Sequence, residues 1–417
     1  MHKIERLLQT LAPEGVEFRK LGEVCEILDN RRIPIAKNKR NPGIYPYYGA
    51  NGIQDYIDSY IFDGDFVLVG EDGSVINKDN TPVVNWASGK IWVNNHAHVL
   101  QTKNELKLKF LYFYLQTIDV SYCVAGTPPK INQENLKKIT IPIPPLEIQQ
   151  EIVKILDAFT ELNTELNTEL KARKKQYEYY QNMLLDFKDI KQSHKDAKEK
   201  LAQKTYPKRL KTLLQTLAPK GVEFKKIGEL FKRNKGINIT AAQMKELHSE
   251  IGKVRIFAGG ATKADINYKD ISKKHIINCE SVIIKSRGNI GFEYYNQPFS
   301  HKNEIWSYSS KTNQMLVKFL YYYLSNNQYY FQKLAQSSSV KLPQLSVSDT
   351  DEYEVPIPPL EIQQEIVKIL DQFSILTTDL LAGIPAEIKA RKKQYEYYRE
   401  KLLTFKPLTP NKEVKKC

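Results

Sequence analysis

IPIPPLEIQQEIVKILDAF, residues 141–159, returns as VPIPPLEIQQEIVKILDQF at residues 355–373, identical at 17 of 19 positions. In both copies a Pro-punctuated, β-type segment runs straight into apolar residues at helical spacing. Ile148, Ile152, Ile155, Phe159, Leu162 and Leu166 step by 4, 3, 4, 3 and 4, and Ile362, Ile366, Ile369, Phe373, Leu376 and Leu380 repeat those steps. Alternating steps of three and four keep one apolar seam on a helix, as in coiled coils. The first helix is predicted over 146–187, about 60 Å at 1.5 Å per residue. Two such stripes in one chain are most simply buried against each other, so these residues are read as packing rather than as a ligand box.

The repetition extends outward on both sides. LLQTLAPEGVEFRKLGEV (7–24) returns as LLQTLAPKGVEFKKIGEL (213–230), 14 of 18 positions identical, and KARKKQYEYY (171–180) returns unchanged at 389–398. Between these frames lie two inserts, 25–140 and 231–354, that share little beyond a Lys-Phe-Leu-Tyr core (109–112 and 318–321). Each insert mixes β-branched and aromatic alternation with Gly, Asp and Asn turns, and carries one short apolar helix at that core. The expected fold is therefore α+β: two globular domains joined by two long antiparallel coiled-coil helices, with a pseudo-twofold internal repeat. Expected boundaries are a first domain over 1–143, a first spacer helix over 144–187 and a polar connector over 188–206. A second domain over 207–357, a second spacer helix over 358–406 and a polar tail over 407–417 complete the chain.

The helices differ in one place. TELNTELNTEL (160–170) is a perfect tetrapeptide array, where the second copy has SILTTDLLAGIPAEI (374–388), four residues longer. Gly383 and Pro385 should break that second helix, because proline lacks the amide donor and clashes with the preceding turn. The array reads as a ruler whose length sets the distance between the two domains.

Lys and Arg exceed Asp and Glu by 62 to 48, a net charge of +14. Such a field favours a polyanionic partner. Four scattered cysteines with no CxxC pair argue against a zinc site or a disulfide framework and fit a reduced cytosol. The N-terminus has no apolar signal core and no apolar run approaches membrane-spanning length, so a cytoplasmic protein is expected. Catalytic signatures are missing: no P-loop, no amino-methyltransferase tetrapeptide, no Gly-rich nucleotide fingerprint. His96 and His98 could chelate a metal, but no third ligand is in view and an ordinary strand pair is the simpler reading. No cofactor, metal or catalytic residue is expected.

Candidate DNA contacts cluster inside the inserts. RRIPIAKNKR (31–40) offers Arg31, Arg32, Lys37, Lys39 and Arg40. PYYGANG (46–52) adds Tyr48 and Asn51, and the turn GTPPK (126–130) adds Thr127 and Lys130. In the second insert the same mixture gives Lys263, then Lys285, Arg287 and Asn289, then Ser338 and Lys341. Arg and Lys hold phosphates or guanine edges, Asn pairs with adenine, and Ser or Gly amides meet phosphates. Residues 41–77 count against a uniformly basic face, with six acids and no Lys or Arg. Most of that edge is expected to point away from DNA.

The paired LAPxGVEF openings, the doubled PIPPLEIQQEIV blocks and the TELN array together resemble the specificity subunit of type I restriction–modification enzymes, over nearly the whole chain. The resemblance implies two target recognition domains, each reading one half of a bipartite site in double-stranded DNA. It implies antiparallel spacer helices that help hold two methyltransferase (modification) subunits, with restriction and translocase subunits joining for cleavage. It also implies no catalysis by the chain itself. Two other readings of the residues stand beside it: a stand-alone bipartite DNA-binding regulator, and a structural coiled-coil assembly protein. The ruler is testable. One extra TELN unit after Leu170 lengthens a helix by about 6 Å and turns it by roughly 400°, so the seam drifts by only about 40°. Against about 3.4 Å per base-pair step, methylome sequencing should show the unread gap widened by about one or two base pairs. An active enzyme with an unchanged gap would exclude a ruler.

Overall fold

The computed structural model describes residues 2–73, 75–192, 195–337, 342–378 and 383–408. They form two compact units, one built from Met1–Asn167 and Glu387–Cys417, the other from Thr168–Ala386. This division cuts across the expected boundaries. The long helix Leu146–Leu185 contributes its first part to one unit and its remainder to the other. The second copy is two helices, Leu360–Thr378 and Ile384–Leu403, one in each unit apart from the first residues of the latter. Gly383 lies in a bend and Pro385 in the first turn of the second piece, where its missing N–H costs nothing. Residues 379–382, with Leu380, lie outside the described residues.

Each unit is framed by the repeated blocks in the same way. Strand Glu17–Lys20 of the opening block pairs antiparallel with Thr140–Ile143 of the PIPP block, Glu17 opposite Ile143. Its counterpart Glu223–Lys226 pairs with Glu354–Ile357, Glu223 opposite Ile357. Just before these strands, Val16 N–H donates to the Lys406 carbonyl at 2.8 Å, and Val222 N–H donates to the Ile190 carbonyl at 2.8 Å. The opening of each copy is thus tied to the chain that follows the other copy's helix. Gly15 and Gly221 make this approach possible. Their φ values are +129° and +97°, and a Cβ would meet the Lys406 or Ile190 carbonyl oxygen at 2.6 or 2.4 Å.

The first insert forms a six-stranded sheet in the order Cys25–Ile27, Ala97–Thr102, Phe62–Gly70, Val84–Val93, Pro42–Gly49, Gly52–Ile57. The second forms a four-stranded sheet, Phe231–Asn234, Trp306–Ser310, Ser281–Lys285, Gly291–Tyr295, and a three-stranded one, Lys263–Ile266, Val254–Phe257, Phe299–His301. The predicted helices are present at Leu108–Leu115 and Val317–Asn326 and supply Phe110, Leu111, Phe319 and Leu320 to the two cores. The inserts share more than that helix. In each, a strand entered through a glycine (Gly43, Gly252) forms a hairpin, with Tyr45 opposite Ile57 and Val254 opposite Ile266. Each hairpin then pairs parallel with a later strand, Tyr48 with Val93 and Phe257 with His301. Backbone pairing asks for few common side chains, so this likeness marks the sequence only at isolated positions such as Gly43 and Gly252 or Ile57 and Ile266.

The helical stripes begin inside the domain cores. Ile148, Ile152 and Leu156, and their counterparts Ile362, Ile366 and Leu370, are fully buried in the core of their own unit. The remaining seam meets aromatic rings: Phe159 stacks on Tyr398 at 5.6 Å, and Phe373 on Tyr180 at 5.1 Å. The first part of each stripe is therefore covered by its own domain, and Phe159 and Phe373 meet rings of the other copy's KARKKQYEYY. Leu166 is buried, and Ile155, Ile369, Leu162 and Leu376 are half-buried. The connector also departs from the reading as a solvated linker. Ile190, Ala197, Leu201 and Tyr206 are buried, and Lys204 Nζ binds the Asp186 carboxylate at 2.6 Å. Its few apolar residues, spaced by four at Ala197 and Leu201, suffice to place a short helix, Ala197–Gln203, on the core. Of the tail, Leu408 N–H donates to the Val16 carbonyl at 3.0 Å, and residues from 409 onward lie outside the described residues.

One side chain in each frame is polar, fully buried and fully used. Gln149 Oε1 accepts from Lys107 N–H at 2.8 Å, while its Nε2 donates to the carbonyls of Glu105 at 2.9 Å and Pro144 at 2.7 Å. Gln363 repeats this: Leu316 N–H donates to it at 2.8 Å, and it donates to Gln314 at 2.8 Å and Pro358 at 2.7 Å. The clamp joins the start of each long helix to the start of its domain helix. Replacing Gln149 by alanine strands one amide and two carbonyls, which should cost about 2–4 kcal/mol. Urea denaturation should show a lowered midpoint for Gln149→Ala and little change for Gln150→Ala at the exposed neighbouring position.

Candidate nucleic-acid interface

In the first insert the sheet brings two separated candidate segments to one place. The chain leaves strand Cys25–Ile27 into a 3-10 turn, Asp29–Arg31, and continues through Arg32 along the sheet. The GTPPK turn arrives from the other direction, held by Gly73 N–H to the Pro129 carbonyl at 3.0 Å and by Ile131 N–H to the Glu71 carbonyl at 2.9 Å. Between them lies a buried ionic cluster. Asp29 Oδ2 is 2.6 Å from His98 Nδ1 and 3.3 Å from Arg32, and its Oδ1 accepts from Val99 N–H at 3.1 Å. Glu71 Oε2 is 2.6 Å from Arg32 and 3.7 Å from His98, and its Oε1 is 3.1 Å from Lys130. His98 Nε2 faces the Ile131 carbonyl at 2.8 Å.

Asp29, Glu71 and His98 are close enough to be metal ligands. The Arg32 guanidinium and Lys130 ammonium already neutralise the two carboxylates, and another cation there would be repelled. The cluster is an ion-pair network, and His96 stands apart from it, exposed and 2.5 Å from Asp72.

The candidate residues now separate. The Arg32 guanidinium is only 11% exposed, and it also donates to the Ala97 carbonyl at 2.8 Å, so it is an internal residue and is withdrawn as a contact. Arg40 donates to the Ile35 carbonyl at 3.0 Å and lies over the Tyr47 ring at 4.1 Å. Tyr48 is buried, and burial pushes its hydroxyl pKa up. Arg31 donates to the Ile61 carbonyl at 3.1 Å and covers the Phe62 ring while remaining exposed. Lys37, Lys39, Asn51, Thr127 and Lys130 are on the surface. In the second insert Lys285 pairs across the hairpin with Glu293 at 2.7 Å and is 22% exposed. Arg287 is exposed and donates from Nε to Gln344 at 3.2 Å, and Lys263 and Asn289 are exposed. Ser338 and Lys341 lie outside the described residues. The acidic run 41–77 is largely spent at home: Asp55 on Arg40, Asp58 on Asn41, Asp65 on Ser88, Glu71 and Asp72 as above. The turn Lys273–His275, marked in the sequence by its adjacent cations (KKH), is also exposed.

Burial by itself pushes the Asp29 carboxyl up, but the hydrogen bond and charge of His98, the Arg32 guanidinium and the Val99 amide outweigh it and hold the pKa below the ordinary carboxylate range. A carboxyl whose folded pKa lies below its unfolded value stabilises the fold above the unfolded pKa and loses that contribution as the pH falls through the folded one. The first unit should therefore lose stability on acidification below about pH 4. Arg32→Ala should cost about 3–5 kcal/mol at neutral pH, because it leaves buried carboxylates short of a cation, and should move the acid transition upward. Denaturant unfolding across pH measures both, and an unmoved acid midpoint would count against the cluster as the cause.

Comparison with known proteins agrees with this architecture. The family described as type I restriction modification DNA specificity domain matches twice, at residues 13–176 and 219–390. A putative type I restriction enzyme specificity subunit of Haemophilus influenzae is 35% identical over 417 residues, covering 96% of this chain and 98% of that protein. The EcoR124I/EcoR124II specificity subunit of Escherichia coli is 27% identical, covering 98% of each. The crystal structure of a type I restriction–modification S subunit from M. genitalium superposes with a TM-score of 0.60 at 18% identity, covering 95% of this chain and 97% of that one. With two matched domains spanning most of its length, the chain belongs to the specificity subunits of type I restriction–modification systems, the non-catalytic subunits that recognise DNA.

Proposed function

We propose that each insert reads its own half of a bipartite double-stranded DNA site and that the repeated frames present the two readers at a set distance. The observation that carries this reading is the pair of near-identical frames, each with the same strand pair and glutamine clamp, around domains whose exposed side chains differ. A frame that is constant suits a constant partner, and faces that differ suit different base sequences. On this reading the long helices pack antiparallel and serve as the spacer, which the ring contacts of Phe159 with Tyr398 and of Phe373 with Tyr180 support. They also dock two methyltransferase subunits, to which restriction and translocase subunits add in the cytoplasm. A regulator acting alone or a pure assembly protein has no comparable support once the family is known.

In the first insert Arg31, Lys37, Lys39, Asn51, Thr127 and Lys130 are the contact set; in the second, Lys263, Arg287 and Asn289, joined by Lys273 and Lys274. Arg287 ranks above Lys285, because its planar fork can grip guanine or phosphate with two donors while Lys285 is occupied by Glu293. Exchange of residues 25–140 for the corresponding insert of another such subunit is the test. Methylome sequencing should show one half of the methylated motif replaced and the other retained. Both halves altered, or neither, would refute the assignment.

A further inference from the structure

We propose that Glu71 is a positioning residue for DNA reading: it holds the two contact-bearing segments of the first insert, around Arg32 and around Lys130, in one fixed arrangement. The inference rests on the assignment of this insert to a half-site and goes beyond it, because Glu71 is itself shielded from solvent.

The geometry is specific. Glu71 divides its carboxylate, Oε2 toward Arg32 at 2.6 Å and Oε1 toward Lys130 at 3.1 Å. These two cations stand 98 positions apart in the chain, and each belongs to a segment that also carries exposed candidate contacts: Lys37 and Lys39 follow Arg32, and Thr127 precedes Lys130. The backbone of Glu71 is fixed as well, its N–H donating to the His96 carbonyl at 2.8 Å and its carbonyl accepting from Ile131 N–H at 2.9 Å. Its side chain is 13% exposed, whereas Lys130 is 48% exposed. Lys130 thus faces solvent while tethered to a shielded anion at its back. His98 and Asp29 complete the support, with Gln133 Nε2 donating to Asp29 at 3.2 Å just beyond the turn.

Phosphate contacts set the register of a protein on the duplex, and base contacts then discriminate within that register. Two loops fixed relative to each other can enforce one register; two loops that drift can each find phosphates independently and accept wrong bases. Loss of the Glu71 charge should therefore relax discrimination more than it weakens binding. It also removes an anion from behind Lys130, which favours nonspecific phosphate contact. A residue that merely stabilised the unit would lower active protein without changing the motif.

The experiment uses the subunit assembled with its methyltransferase partners and DNA duplexes varied base by base in each half-site. Glu71→Gln keeps the shape and removes the charge. It is expected to lose roughly tenfold of its discrimination at one or more positions of the half-site read by the first insert. Discrimination in the other half-site should stay unchanged, and affinity for unrelated DNA should be equal or higher. Glu71→Asp, which restores the charge, should recover part of the discrimination. Glu71→Asp also tests the proposal if Glu71→Gln fails to assemble: one methylene shorter, it cannot reach both Arg32 and Lys130 as Glu71 does, so its discrimination in that half-site should fall below that of the unaltered subunit. Unchanged discrimination in Glu71→Gln, or in Glu71→Asp where only that variant assembles, overturns the proposal. So does equal loss in both half-sites. The insert exchange described above separates the two levels: if it replaces that half-site while Glu71→Gln leaves it intact, the positioning role fails and the reading of the insert stands.

Discussion

The structure depends on an amide buried at the first turn of each long helix. Gln149 and Gln363 are removed from water, and each satisfies one backbone N–H and two carbonyls that would otherwise be stranded. A buried amide costs little while it is paired and much when it is not. The bond set therefore tolerates one geometry: the helix must start at the Pro-Pro step and lie beside the start of the domain helix. Because both copies meet the same condition, each domain is attached to its helix in the same way whatever its remaining residues are. Apolar burial of Ile148, Ile152 and Leu156, or Ile362, Ile366 and Leu370, supplies the driving force, and the glutamine supplies direction.

With attachment settled by the frame, the inserts are free to differ in what they expose. They keep a common backbone element, the glycine-entered hairpin that pairs parallel with a later strand, while most of its side chains differ. This is a workable division for a recognition protein: hydrogen bonds of the main chain hold the platform, and side chains that do not carry the fold can vary with the sequence to be read. The charges follow the same division. In the first insert Arg32 and Arg40 are consumed inside, on Asp29, Glu71 and Asp55, leaving Lys37 and Lys39 on the surface. Arginine suits the internal role because its planar fork reaches two acceptors at once, and lysine suits an exposed grip on phosphate.

Much of this was legible in the chain itself. Near-identical blocks at a constant offset specify two equivalent frames, and 3–4 spacing specifies helices, because periodicity and repetition are properties of the chain alone. Gly383 and Pro385 likewise announce the break between Leu360–Thr378 and Ile384–Leu403, since the ring and the missing N–H act locally. The tertiary structure alone decided which face each stripe meets. Phe159 finds Tyr395 and Tyr398, and Phe373 finds Tyr177 and Tyr180, because the partner of an apolar face is chosen by packing across the fold and periodicity does not name it. It also decided which cations are available. Arg31 and Arg32 are adjacent and chemically identical, yet one is exposed and the other lies among Asp29, Glu71 and the Ala97 carbonyl. Their fates differ because, beyond the neighbouring Asp29, the groups that claim Arg32 (Glu71 and the Ala97 carbonyl) come from distant parts of the chain, and only the folded sheet brings them within bonding distance.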